Sequence, residues 1–185
     1  MVIVTDFDDV MNELLVHWLE VLNTIYFKHV LYENVTDWDM TKAYPDLTPK
    51  QIYSPLESEE FWDEVEPNYQ AIYYIHKLIK EGHKVLVCTA SKYTTLKAKF
   101  DNCLFRYFDY LTYKDIIICQ DKSLIQCDVI IDDYWENIKN SKAIKILKRS
   151  PYNKKADPDF EVYDWKEIYE IIENLEFVRN CEKES

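Results

Sequence analysis

Val2-Ile3-Val4-Thr5-Asp6-Phe7-Asp8 opens the chain with a β-branched run that ends in two carboxylates one residue apart. An unbroken run such as Val2-Ile3-Val4 suits a parallel strand covered on both faces, because neither side of it offers polar groups to water. Asp6 therefore belongs at the carboxyl end of a buried strand.

The same grammar recurs three times further along. Lys84-Val85-Leu86-Val87-Cys88 delivers Thr89, Ile116-Ile117-Ile118-Cys119 leads to Lys122, and Val129-Ile130-Ile131 ends at the pair Asp132-Asp133. In open parallel α/β sheets, ligands bind at the carboxyl ends of the strands, so these polar residues are expected to share one crevice. Taken singly each has a plain structural reading. An Asp-x-Asp is usually a turn or a solvated strand end, Thr89 alone is a helix cap, Lys122 alone a surface charge, and the acidic pair a cap on the helix after it. In this order, and each behind an apolar strand, they read as a phosphate-handling site.

Outward from the first motif, Val10, Leu14, Trp18, Val21, Leu22 and Ile25 recur at helical spacing, which predicts a long amphipathic helix beginning near Met11, with Trp18 in the core. Pro45, Pro49, Pro55 and Pro67 break the next stretch into short aromatic-rich pieces, the pattern of a small helical insertion over residues 26–66. Pro67 suits the first turn of a helix whose apolar face is Ala71, Ile72, Ile75, Leu78 and Ile79, and Gly82 is placed to end it. Ser91 or Thr94 is expected to cap the helix after Thr89. A helix near Trp135 to Asn140, a strand over Ala143 to Leu147, and a tail with a short strand or turn and a last helix complete the pattern. Strands alternating with helices predict a doubly wound, mostly parallel α/β core formed by residues 1–25 and 67–185, with the cap inserted after the first strand and helix.

Composition bounds the function. The chain has 185 residues, 48% of them hydrophobic, enough for a substantial core. Acidic residues outnumber basic ones 34 to 22, a net charge of −12 that repels long nucleic acid. No apolar run approaches membrane-spanning length, and no basic leader precedes the first strand, so a cytoplasmic protein without a membrane partner is the expectation. The single glycine, Gly82, excludes a glycine-rich phosphate cradle. The five cysteines and four histidines show no metal-ligand spacing. A homodimer is left open.

A phosphate monoester is a dianion, so its hydrolysis needs charge neutralisation, an aligned nucleophile and a proton for the leaving oxygen. Asp6 can attack as a carboxylate and form an aspartyl-phosphate. Asp8 can protonate the departing alkoxide and later take a proton from water. Asp6, Asp8, Asp132 and Asp133 would repel one another unless a cation intervened, and Mg²⁺, which takes hard oxygen ligands, is the expected one. Lys122 would neutralise phosphate oxygens while the Thr89 hydroxyl and nearby backbone N–H groups hold the phosphoryl group.

The chain resembles the haloacid dehalogenase superfamily of phosphohydrolases, through Asp6-Phe7-Asp8-Asp9-Val10, Val87-Cys88-Thr89-Ala90-Ser91, Lys122 and Ile130-Ile131-Asp132-Asp133. Within it, the 5'(3')-deoxyribonucleotidase family is similar in Asp121-Lys122-Ser123, Asp128 to Asp133, Tyr44-Pro45-Asp46-Leu47, Phe61-Trp62, Glu66-Pro67 and Asp164-Trp165-Lys166-Glu167-Ile168. The resemblance implies Asp6 as nucleophile, Asp8 as acid/base, and a cation held by the Asp6 carboxylate, the Asp8 carbonyl and the acidic pair, Asp133 more directly than Asp132. It implies phosphate binding by Thr89, Ala90 and Lys122, and deoxyribonucleoside monophosphates as substrates. Ser91, Leu14, Tyr44, Phe61 and Trp62 are the candidates for substrate contact, with Tyr53 a further ring of the insertion able to stack on a base, while Trp38 reads as structural. Asp9 stands where the family usually has glycine, and Leu14 where it often has an aromatic. Rival readings are a phosphatase of the same fold for another small metabolite, a non-catalytic binding protein, and a phospho-acceptor receiver domain. The receiver reading needs its acidic pair early, whereas here the pair comes last.

Overall fold

The computed structural model describes residues 1–183. Among these, strands β1 (Val2–Thr5), β2 (Lys84–Thr89), β3 (Ile116–Ile118), β4 (Val129–Asp132), β5 (Ile144–Lys148) and β6 (Phe160–Val162) form one sheet in the order β3-β2-β1-β4-β5-β6. Every neighbouring pair is parallel. The order reverses at β1, whose neighbours are β2 on one side and β4 on the other, and such a switch point opens a crevice at the carboxyl ends.

Alternation along the strands divides the core. Ile3, Val85, Val87, Val129, Ile131 and Ile146 face the larger apolar cluster, and Val4, Cys88, Ile130 and Leu147 face a smaller one. Helices α1 (Leu14–Tyr26), α4 (Tyr69–Lys80) and α8 (Trp165–Lys183) cover the larger side, with Leu22, Ile75, Leu78, Trp165 and Ile172 fully buried. The other side is covered by α7 (Trp135–Ile138) through Ile138 and by the segments around Cys127 and Ala143.

Between α1 and α4 lie only short pieces. They are a helical turn at Tyr32–Asn34, α2 (Pro49–Tyr53), a turn at Ser54–Glu57 and α3 (Glu59–Glu64). Thr48 and Gln51 form a reciprocal capping box on α2 with Pro49 at its first position, and Ser58 caps α3, so these pieces stand on local hydrogen bonds. Their buried residues Val35, Met40, Ile52, Trp62 and Val65 join the larger cluster of the sheet.

Three boundaries differ from the sequence reading. Helix α1 starts at Leu14 rather than near Met11, because Asp9 adopts a left-handed φ of 56° and the Asn12 side chain accepts the N–H groups of Asp9 (3.0 Å) and Leu14 (3.2 Å). Val10 and Met11 are buried as expected of the apolar pattern, but from a turn. Pro67 lies ahead of α4, whose cap is Asn68. Residues 66–68 run antiparallel to residues 11–13, bonded from Glu13 N to Glu66 O and from Asn68 N to Met11 O. Neither Ser91 nor Thr94 caps α5 (Tyr93–Ala98); Lys92 occupies that position and Ser91 is engaged elsewhere. Gly82 does end α4, at a φ of 92°, with its N–H on Ile79 O and the His83 N–H on Leu78 O, the Schellman arrangement that favours glycine.

Candidate active site

Each strand end brings its polar residue to the crevice. Asp6 follows β1, Thr89 ends β2, Asp132 ends β4, and Lys122 sits in a helical turn (Lys122–Leu124) after β3. The Lys122 ammonium lies 2.8 Å from Asp6 Oδ1 and 2.6 Å from Asp132 Oδ2, with the lysine 1% exposed. Burial works against that charge, and the two carboxylates more than offset it, so the Lys122 pKa lies above the ordinary lysine value.

Carboxylate oxygens of Asp6, Asp132 and Asp133 lie within 4.8 Å of one another. With three carboxylates against one ammonium, two negative charges are left unbalanced if all ionise. Without a cation Asp6 and Asp133 respond by holding their protons more tightly. Burial pushes Asp6 up to about 7, with Lys122 opposing the rise and Asp132 and Asp8 adding to it. Burial, then Asp132, Asp9 and Asp6, carries Asp133 well above the usual carboxylate range. A hard divalent cation would remove that penalty, and an all-oxygen donor set suits one of the Mg²⁺ kind. Asp132 already accepts hydrogen bonds on both oxygens, from Lys122 and from Tyr134 N (2.8 Å) and Asn137 Nδ2, so Asp133 and Asp6 are the better placed ligands.

Asp8 faces a second cation that sequence reasoning missed. Lys99 Nζ pairs with Asp8 Oδ2 and donates to Thr89 Oγ1 (2.7 Å) and Ser91 Oγ (2.5 Å), and it sits 5.5 Å from the ring centres of both Phe7 and Trp62. The other Asp8 oxygen, Oδ1, is buried with no hydrogen-bond partner. Lys97 is 78% exposed and Lys99 1%, because residues two apart on a helix point to opposite faces. From Lys99 to Leu104 the helix widens into π geometry and then returns to a short α turn, α6 (Phe105–Tyr107).

A cavity of about 260 Å³ opens above these groups, and Asp6, Asp8, Ala90, Ser91, Lys122 and Asp133 line it together with Leu14 and Trp62. Thr89 lies directly beneath, fully buried, its hydroxyl 3.1 Å from Ser91 Oγ. Tyr44 and Phe61 do not line it. Tyr44 is 2% exposed with its hydroxyl donated to Asn23 Oδ1, and Phe61 packs on His17 and Trp62, so both spend their side chains on packing the insertion against α1. Tyr53, also among the rings the sequence offered, does line it, and so do Trp18, Trp38 and Tyr134. Trp38, read from sequence as structural, stacks on Tyr134 at 4.7 Å and so joins the insertion to the residue after the acidic pair. Trp18 is buried as expected, and still lines the cavity while its Nε1 donates to Ile52 O.

Comparison with known proteins agrees with this geometry. Residues 1–179 match the family model described as 5' nucleotidase, deoxy (pyrimidine), cytosolic type C protein. A 5'(3')-deoxyribonucleotidase of Bacillus subtilis is 29% identical over 169 residues, spanning 90% of this chain and 95% of the relative. A haloacid dehalogenase-like protein of Agrobacterium tumefaciens superposes with a TM-score of 0.65 at 12% identity, covering 94% of this chain and 98% of that one. A haloacid dehalogenase-type hydrolase of Bacillus subtilis, solved bound to magnesium, superposes with a TM-score of 0.58 at 15% identity, covering 93% and 98%. No helix among the described residues is long and apolar enough to cross a membrane.

Proposed function

The chain belongs to the 5' nucleotidase, deoxy (pyrimidine), cytosolic type C family of haloacid dehalogenase-type phosphomonoester hydrolases, and from that premise we propose that it cleaves deoxyribonucleoside monophosphates to nucleoside and phosphate through a phosphorylated Asp6. The observation that carries this reading is the Lys122 bridge between Asp6 and Asp132 beside Asp133, at the switch point of the sheet.

Lys122 holds Asp6 through Oδ1, which fixes the carboxylate and leaves Oδ2 to reach phosphorus. Asp6 attacks, the P–O ester bond breaks, and its electron pair leaves on the nucleoside oxygen, which takes a proton from Asp8. Water then attacks the phosphorus of the aspartyl-phosphate and gives its proton to Asp8, so inorganic phosphate departs and the Asp6 carboxylate returns. Lys99 stands between Asp8 and the hydroxyls of Thr89 and Ser91, where it can orient Asp8 and meet a phosphoryl oxygen. The Ala90 N–H and Thr89 complete the phosphate seat. Mg²⁺, held by Asp6, Asp133 and the Asp8 carbonyl, with Asp132 supporting, would neutralise charge that develops on the phosphoryl oxygens.

Residues 26–66 act as a cap, with Trp38, Trp62 and Tyr53 giving flat faces for a base and Leu14 an aliphatic floor. The net charge of −12 keeps long nucleic acid from competing. The test is phosphate release from a panel of ribo- and deoxyribonucleotides and sugar phosphates, with and without Mg²⁺, for wild type and Asp6→Asn. Release by the wild type alone, greatest with deoxyribonucleotides and Mg²⁺, supports the reading. Equal release by both proteins removes Asp6 from its role, and a preference for sugar phosphates reassigns the substrate.

A further inference from the structure

The end of β5 and the loop after it carry none of the four strand-end signals, yet they grip the acidic site at three points. Lys148 Nζ donates to the Asp9 carbonyl (2.6 Å), Tyr152 Oη donates to Asp133 Oδ2, and Asn153 Nδ2 donates to the Asp133 carbonyl (2.7 Å). The loop is itself stiffened, since Asn153 also donates to Lys148 O (2.8 Å) and accepts from Ser150 N (3.0 Å). Asn153 is 5% exposed and Lys148 9%. Tyr152 reaches the cavity wall beside Asp133.

We infer that Tyr152 is a positioning residue for the cation site: its hydroxyl binds one oxygen of Asp133 and leaves Oδ1 to meet the cation. The Tyr152 hydroxyl sits on Oδ2, and the Asp133 carboxylate has an oxygen within 4.8 Å of one from Asp6 and one from Asp132. Asn153 fixes the Asp133 backbone while Tyr152 fixes its side chain, so the carboxylate has little rotamer freedom left to lose on binding. Partners of this kind orient a metal ligand, and their removal weakens metal affinity by ~10–100-fold. The inference rests on the reading of Asp133 as a cation ligand.

Tyr152→Phe removes the hydroxyl and keeps the ring, and it tests the inference directly. Mg²⁺ binding to wild type and variant is measured by calorimetry without nucleotide, thermal unfolding is measured in EDTA, and the Mg²⁺ concentration that half-saturates phosphate release is measured in parallel. The expected result is a dissociation constant raised ~10-fold or more, the half-saturating concentration raised in step, and an unfolding temperature in EDTA close to wild type. An unchanged Mg²⁺ constant overturns the inference, as does a fall in unfolding temperature in EDTA with Mg²⁺ dependence unmoved, which would make Tyr152 a packing residue only. No Mg²⁺ binding by the wild type would instead overturn the reading beneath it.

Discussion

Lys122 and Asp6 form an ion pair of 2.8 Å at the floor of the cavity, between an ammonium 1% exposed and a carboxylate 10% exposed. Because Lys122 also holds Asp132, removing its charge leaves two largely buried carboxylates without their partner. Lys122→Met is expected to lose about 3 kcal/mol of stability in urea titrations in EDTA at pH 8, as broken buried ion pairs do. Phosphate release should fall by ~100-fold or more, the scale of losing a buried electrostatic donor. A variant with wild-type stability and rate would show that the charge is not needed there.

The Asp6 carboxyl has an ordinary value of 3.8 and rises to about 7 in the folded chain without a cation. The sign follows from linkage: the folded state holds a proton that the unfolded state gives up, so this contribution to stability is complete below the ordinary value and drains away as pH rises through the raised one. Asp133 shifts in the same direction, and a bound cation displaces these protons. The gain in unfolding temperature from Mg²⁺ should therefore grow from about pH 5.5 to about pH 8, with proton uptake by the buffer in calorimetry. A gain that is constant or shrinks with pH would show that the ion binds elsewhere.

Much of this site was legible because it rests on strands. A β-branched run that ends in Asp or Thr places that residue at a sheet's carboxyl edge whatever the loops do, and Asp6, Thr89, Lys122 and the acidic pair all lie where that logic put them. Lys99 and Tyr152 were not legible, for different reasons. Lys99 lies in a helical segment whose apolar residues Leu96, Phe100, Cys103 and Leu104 mark a face, but nothing in that pattern says that a lysine joins the buried side, and only the fold shows that it turns inward. Tyr152 lies in a loop whose path depends on β5 and β6 being the last strands of the sheet. The aromatic residues of the insertion show a third limit. Ring residues serve equally well as core or as cavity wall, so Tyr44 lies in the core and Trp38 on the cavity wall, the reverse of the placement that sequence suggested.

Trp38 gives a binding prediction. Its ring is half-exposed, lines the cavity and stacks on Tyr134 at 4.7 Å. Base stacking on an aromatic face contributes ~1–3 kcal/mol, so Trp38→Ala should raise KM for a deoxyribonucleotide by ~5–100-fold and leave kcat within a few-fold. Steady-state kinetics separate the two, and a loss in kcat alone would place Trp38 in closure rather than in binding.

Phe27 offers a stability prediction away from the site. It ends α1 at a left-handed φ of 51° and is 90% exposed, so its ring contributes little packing while its Cβ strains the backbone. Phe27→Gly should stabilise the fold by ~0.5–1 kcal/mol in urea titration, with no change in phosphate release. A destabilised variant would mean that the exposed ring packs more than its accessibility suggests.

Whether Asp6 carries the phosphoryl group can be seen in one acid-quench experiment. Wild type and Asp8→Asn are mixed with a deoxyribonucleoside monophosphate and Mg²⁺, stopped in acid within a turnover, and the peptides are weighed by mass spectrometry. A phosphoryl adduct on the peptide containing Asp6 is expected, and its decay should be slower in Asp8→Asn, which lacks the base for the attacking water. Phosphate release during the same turnover with no adduct at Asp6, or with the adduct on another residue, would refute Asp6 as the nucleophile.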